Sequence, residues 1–464
     1  MCCTHENFTH TGRRDDGSGR RGRCPVRGAG RRRKRRGKGE SCEVGHRRGG
    51  GQVSRQWEGA DSMRRWQRLA LVALAGAVAL GAGSIGYLRW HTRAVVTAAV
   101  PAGSHAVATT LDPAASDRLM QVVSDARERL GVPALQVAVV KGGELVWTGA
   151  VGWADPPAGR PVTAEDRFHI GSVSKLYTAA LVLRLAEEGR LSLEDPVSRF
   201  VPDVPNGDRI TVRQLLNHTS GLANYTEDTA FNLKTVLLRR RWSVDEVLDV
   251  IRQQAPRSAP GTEHYYSNSN YVLLGRIAEV AGGRPFADLL HDEVLRPLGL
   301  TNTYLAAGEP ESVGTVRGYD VTVLGTGRMG IKLDMERFRA PFETSAFAAG
   351  AVTASAADVA RFTSGLLGGR LLADSTLQSM LTFVDAPDED MPAQTGYGLG
   401  VRRLVIGGEE MVGHTGTLPG YSNVALYAPA HDHAVAVLSN LSMSDVTDVL
   451  AEVQAVLLEP ASTR

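Results

Sequence analysis

From residue 43 to the C-terminus the chain has no cysteine; all four (Cys2, Cys3, Cys24 and Cys42) lie near the start of its 464 residues. The body therefore uses neither a disulfide framework nor thiolate catalysis nor thiolate–zinc ligation. Acid is scarce at the N-terminal end. Residues 1–62 hold 16 Lys/Arg against 7 Asp/Glu, and residues 63–93 hold five arginines and no acid. Residues 94–464 then carry 31 bases and 43 acids, so the whole-chain charge of +2 conceals a basic leader joined to an acidic body. That sign argues against nucleic-acid binding by the folded body. No internal repeat is present.

Residues 1–62 also lack hydrophobic periodicity. They are rich in Arg and Gly, with the block RRRKRRGKG at 31–39. Such a stretch cannot bury enough apolar surface to fold and reads as a disordered leader, or as residues preceding a natural start at Met63. From Met63 the order is RRWQR and then LALVALAGAVALGAGSIGYL, residues 69–88, an uncharged run long enough to span a bilayer. Residues 63–93 are therefore expected to be a transmembrane signal-anchor, with cleavage and secretion as the alternative. Arg64, Arg65 and Arg68 would stay in the cytoplasm and the body outside it. Residues 94–111 read as a linker.

Residues 112–464 read as one domain. LDPAASDRLMQVVSDARERLG (111–131) has a capping Asp112, Pro113 in the first turn and Gly131 at the end, which predicts a helix. ALQVAVVKGGELVWTGAVGWAD predicts a hairpin turning at Lys141–Glu144. Helical patterns and loops fill about 190–390; strand-like runs return in YGLGVRRLVIGGEEMVGHTG, YSNVALYAP and AVAVLSN, and SDVTDVLAEVQAVLLE closes the chain as a helix. Strands at both ends with helices between them predict an α+β fold: an antiparallel sheet flanked by N- and C-terminal helices, with an inserted, mainly helical subdomain.

The stretch FHIGSVSKLYTAALVLRLAEEGR (168–190) contains the main anomaly. On a helix opening at Ser172 and turning about 100° per residue, Arg184, Glu187 and Glu188 fall near 120°, 60° and 160°. Lys175 falls near 300°, on the stripe of Ala179, Val182 and Ala186, so this lysine faces the core. Burial disfavours its charged form, and three residues' separation puts the amine within reach of the Ser172 hydroxyl. A serine beside such an amine is a coherent nucleophile.

Here the sequence resembles the serine β-lactamase/penicillin-binding-protein family, particularly class C β-lactamases and their D,D-peptidase and esterase relatives. SVSK (172–175) matches Ser-x-x-Lys, YSN (266–268) matches Tyr-x-Asn, and HTG (414–416) matches Lys/His-Thr-Gly, all in the family's order. LLNHTSGL (215–222), RPLGLTNTY (296–304) and AAGAVTASAADVARF (348–362) are similar to the family's flanking segments. The resemblance implies that Ser172 forms an acyl-enzyme while Lys175 and Tyr266 share the acid/base work. It implies that Asn268, His414, Thr415 and Gly416 bind substrate, with Asn268 on its amide and Thr415 on its carboxylate. Backbone N–H groups of Ser172 and Thr417 would form the oxyanion hole. Lys175 and His414 are the candidates to lower the Tyr266 phenol, whose unperturbed pKa is near 10.

No cofactor and no metal is expected: the His-x-His-x-Asp-His pattern of the zinc β-lactamases is absent. His218 reads as structural, and His431 and His433 as turn residues. Histidine rather than lysine at 414 tilts the reading toward peptidase or esterase activity. Activity on carboxylate-bearing substrates should then fall as pH rises through the His414 pKa. The function implied is an anchored, extracytoplasmic serine hydrolase, D-alanyl-D-alanine carboxypeptidase-like, acting on a small-molecule or peptide acyl donor. The alternatives are a β-lactamase or esterase, or a penicillin-binding sensor with negligible turnover.

Overall fold

The computed structural model describes residues 104–107, 111–306, 315–321, 332–388 and 391–459. The leader and the apolar run at 69–88 lie outside the described residues. Among the described residues no helix is long and apolar enough to cross a membrane.

The central sheet is built from β1 (Ser104–Val107), β2 (Ala134–Lys141), β3 (Glu144–Asp155), β4 (Val384–Asp385), β5 (Gln394–Tyr397), β6 (Arg402–Ile406), β7 (Glu409–Leu418), β8 (Tyr421–Ala428) and β9 (His433–Ser439). Their order across the sheet is β1-β3-β2-β9-β8-β7-β6-β5-β4, every pair antiparallel, with the short strand Arg160–Pro161 beside β3. β1 falls inside the stretch expected to be a linker. It pairs with β3 in the register Ser104↔Ala150 to Val107↔Trp147. Four residues are too few for a period-two pattern to register, and the edge they pair with exists only in the folded sheet.

Both faces of the sheet are covered, which is why β2 reads as the nearly unbroken apolar run ALQVAVV. Leu135, Val137 and Val139 join one core, together with Leu119, Val123 and Ala126 of α1 (Pro113–Leu130) and Val449, Leu450 and Val453 of α5 (Val446–Leu458). The predicted helix 111–131 is thus present, with Asp112 accepting from Ala114 N and Gly131 ending it at φ 61°. Trp147 of β3 is fully buried and donates from Nε1 to Ser116 Oγ of α1 at 3.1 Å.

On the other face the alternate residues are small: Ala134 and Ala138 of β2, Ala434 and Ala436 of β9. Small side chains let a helix approach closely, and α4 (Ala356–Leu367) packs there. Buried Gln136 seats it, accepting from Ala356 N at 2.6 Å and donating to Thr163 O at 2.7 Å. The helical subdomain continues this core with α2 (Ser174–Glu187), α3 (Asn268–Gly282) and the shorter helices Val212–Leu216, Thr229–Leu237 and Val244–Gln253. α2 is buried on nearly every side along Ser174–Leu183.

Candidate active site

Ser172 sits in a tight 3-10 turn, Gly171–Val173, and the α-helix begins at Ser174, two residues later than the sequence suggests. Two glycines bring this turn against β7. A Cβ on Gly416 would lie 2.0 Å from Ile170 O and 3.1 Å from Ser172 N; one on Gly171, at φ +54°, would lie 2.9 Å from Thr417 N. The backbone amides of Ser172 and Thr417 therefore belong to two segments in direct contact. β6 pairs with β7 only from Glu409 to Gly413, which leaves residues 414–418 without a strand on that side among the described residues. Asn423 of β8 ties the junction, donating to His169 O at 3.0 Å and Gly416 O at 3.3 Å.

Gly416→Ala is expected to separate these backbones. A misplacement near 1 Å at a reacting centre costs about 100-fold, so acylation should slow by that order. Overpacking should also lower stability by about 1–3 kcal/mol. Stopped-flow acylation with a fluorescent penicillin, beside a thermal melt, reads both effects. An unchanged rate would mean that the close approach does no positioning.

Lys175 is fully buried, and its ammonium is held by three acceptors: Ser172 Oγ at 2.9 Å, Asn268 Oδ1 at 2.8 Å and Ala349 O at 2.8 Å. Burial lowers its pKa, opposed by the neighbouring Tyr266. Asn268, the first residue of α3, is fixed further by Nδ2 donating to Thr226 Oγ1 at 3.2 Å.

Tyr266 places its ring centre 5.0 Å from the Lys175 ammonium; its hydroxyl is buried beside Lys175 and Ser172, without a regular hydrogen bond among the described residues. Burial would raise this phenol. Lys175 and Arg402 outweigh it and hold the pKa below its ordinary value. Lys175 and Tyr266 therefore compete for one proton beside the serine hydroxyl.

His414 does not carry the charge expected of it. Its Nδ1 donates to Thr415 O, which leaves Nε2 to accept from the Tyr397 hydroxyl at 2.9 Å. Both ring nitrogens are thus satisfied in the neutral form. Burial, reinforced by Arg402 and Lys175, pushes the pKa well below 6.5. The expected loss of His414 charge through the neutral range is withdrawn, and so is its role in lowering Tyr266. Arg402 takes that place. Its guanidinium lies 5.0 Å from the Tyr266 ring centre, with Asp388 Oδ2 3.3 Å away and a buried Nε that has no hydrogen-bond partner among the described residues. Period-two alternation along β6 puts Arg402 on the buried face with Leu404 and Ile406 and Arg403 on the other.

Thr415 alternates to the other side of β7, opposite Val424 in the terminal-helix core, with Oγ1 4.0 Å from Met391 Sδ. A cavity of about 540 Å³ opens on that side, along Thr415–Thr417, Met391, Asn423 and Ser444. Ser172 does not line it.

His218, expected to be structural, stands at the centre of the aromatic ring cluster. Its Nδ1 accepts from Ser267 N at 3.2 Å and faces Asn270 Nδ2 at 2.9 Å, and its ring lies 4.3 Å from that of Tyr266. Burial keeps it neutral, as it does His264 and His433, whose pKa values are lowered to about 4.

These depressed values set the direction of the stability–pH curve. Each such histidine is neutral in the fold and takes up a proton below 6.5 once unfolded. Its contribution is full above pH 6.5 and is lost as pH falls toward the folded pKa, with a slope of up to about 1.4 kcal/mol per pH unit for each group. Urea denaturation between pH 7.5 and 5 should show stability falling steadily; a flat profile would contradict the buried neutral histidines. His431 and His433 stack at 5.7 Å, and among the described residues no group of three or more His, Cys, Asp or Glu could hold a metal.

The geometry brings a serine, a buried lysine and a tyrosine together on an α+β scaffold. The sequence profile of the beta-lactamase family matches residues 119–458, and the chain belongs to that family. Esterase EstB of Burkholderia gladioli is 33% identical over 225 residues, covering 44% of this chain and 57% of its own length. The chain thus spans little more than half of that relative. Among solved structures, a D-stereospecific amidohydrolase from Streptomyces sp. is 30% identical with a TM-score of 0.62, covering 75% of this chain and 99% of its own. An octameric penicillin-binding protein homologue from Pyrococcus abyssi is 27% identical with a TM-score of 0.64, covering 74% and 77%.

Proposed function

We propose that the protein is a serine hydrolase that cleaves small acyl donors through a Ser172 acyl-enzyme, with a D-alanyl-D-alanine carboxypeptidase-like preference. The observation that carries this reading is the buried Lys175 ammonium 2.9 Å from Ser172 Oγ, beside a Tyr266 phenol held below its ordinary pKa. In the first step the proton of Ser172 passes to the Lys175–Tyr266 pair as Oγ attacks the carbonyl carbon. The amides of Ser172 and Thr417 receive the developing oxyanion. The same pair then protonates the leaving group, and water completes the cycle.

The substrate would lie along the open edge of β7 at 414–418. The Arg402 guanidinium, close to that edge, would attract a terminal carboxylate. The D-stereospecific amidohydrolase among the structural neighbours supports amide cleavage, and EstB keeps ester cleavage as an alternative. The apolar run after Met63 supports an anchored, extracytoplasmic enzyme.

Purified protein should release D-alanine from a D-Ala-D-Ala peptide faster than from the L-Ala-L-Ala peptide. Arg402→Gln should raise KM for that peptide by about 10–100-fold, the worth of one charge-assisted hydrogen bond, and change that of a neutral p-nitrophenyl ester less. Equal effects on both substrates would remove Arg402 from carboxylate recognition. Nitrocefin turnover without peptide release would favour a β-lactamase. A fluorescent-penicillin label that persists for hours would favour the sensor.

A further inference from the structure

The helix Thr229–Leu237 carries apolar side chains where a soluble face would carry polar ones. Leu233 and Leu237, one turn apart, are 48% and 66% exposed, and Leu238 at the helix end is 73% exposed. The exposure is not a sign of a loosely held segment. Asp228 caps the helix, accepting from Phe231 N at 2.7 Å. On its underside Phe231 is buried against Trp242, their ring centres 4.5 Å apart, and Trp242 Nε1 donates to Thr235 Oγ1 at 2.9 Å. A seated helix therefore holds three leucines out toward water.

Charge identifies what would cover them. Residues 229–242 contain Lys234, Arg239, Arg240 and Arg241 and no acid, in a body where acids outnumber bases by 43 to 31. Lys234, Arg239 and Arg241 are exposed, while Arg240 reaches Glu246 at 2.7 Å. Leucines rimmed by cations fit a surface that is apolar below and anionic above. A second copy of the patch would set like charges against each other.

We propose that residues 229–241 dock on an anionic lipid surface, the leucines entering the acyl boundary and the cations meeting the headgroups. The segment follows directly on Asn224 and Thr226, which hold Asn268 beside Lys175. Docking would hold the segment that carries Asn224 and Thr226 close to the bilayer. The proposal stands on the patch alone and does not depend on the catalytic reading.

The test is hydrogen–deuterium exchange of the full-length chain on phosphatidylcholine vesicles with and without phosphatidylglycerol. The leader is the same in wild type and in Leu237→Glu/Leu238→Glu, so any difference between them belongs to the patch. Amides of 231–241 in the wild type should exchange about five-fold or more slowly on anionic vesicles, an advantage reduced by about 0.5 M salt. The double variant should lose this protection while keeping the wild-type far-UV circular dichroism and thermal melt. Equal exchange on both vesicles, or equal exchange of wild type and variant on the anionic ones, would overturn the proposal. So would lipid-free protection that grows with protein concentration, which would make a second copy the occupant.

Discussion

Ser172→Ala is expected to abolish covalent capture of a fluorescent penicillin and to lower kcat/KM by about 10⁴-fold or more, because the hydroxyl that would carry the acyl group is removed. The fold should barely notice. Ser172 is only partly buried, and the Lys175 ammonium keeps Asn268 Oδ1 and Ala349 O after Ser172 Oγ is gone. A thermal melt close to that of the wild type, beside mass spectrometry showing no acyl adduct, is the expected pair of results. A Ser172→Ala protein with full turnover would end the hydrolase reading outright.

Lys175→Met should be nearly as damaging, by about 10²–10⁴-fold in acylation, the usual worth of a positioned acid/base group. Methionine keeps the length and loses the amine. Two consequences separate loss of chemistry from loss of structure. Asn268 Oδ1 and Ala349 O are left without their donor, at a cost of about 1–3 kcal/mol each, while the burden of burying an ammonium is lifted, so the melt should shift little compared with the rate. Tyr266 loses the larger of the two cations that hold its phenol down, so its titration should move to higher pH. Acylation of Lys175→Met at the wild-type rate would move the base to Tyr266, the remaining group there that can take a proton.

Much of this centre is legible in the sequence. Lys175 shares a stripe with Ala179, Val182 and Ala186, and a 3.6-residue period is a local property of the chain. The hairpin at Lys141–Glu144 and the caps Asp112 and Gly131 are local for the same reason. Arg402 was missed because its importance is a distance to Tyr266, 136 positions earlier in the chain and brought near only by the sheet. The ordinary titration expected of His414 does not survive folding. A histidine beside Thr-Gly has an ordinary titration until Tyr397, Thr415 O and the surrounding burial remove the reason to hold a proton. β1 escaped because an edge strand of four residues acquires its partners from the fold.

The chain's own order of residues settles its class, its motif positions and the segregation of charge between leader and body, since these follow from local periodicity and composition. Which cation governs Tyr266, which histidines stay neutral and how closely Gly416 lets β7 approach Ser172 are decided only on folding. Desolvation and through-space charge depend on neighbours hundreds of residues away, and no local pattern encodes them.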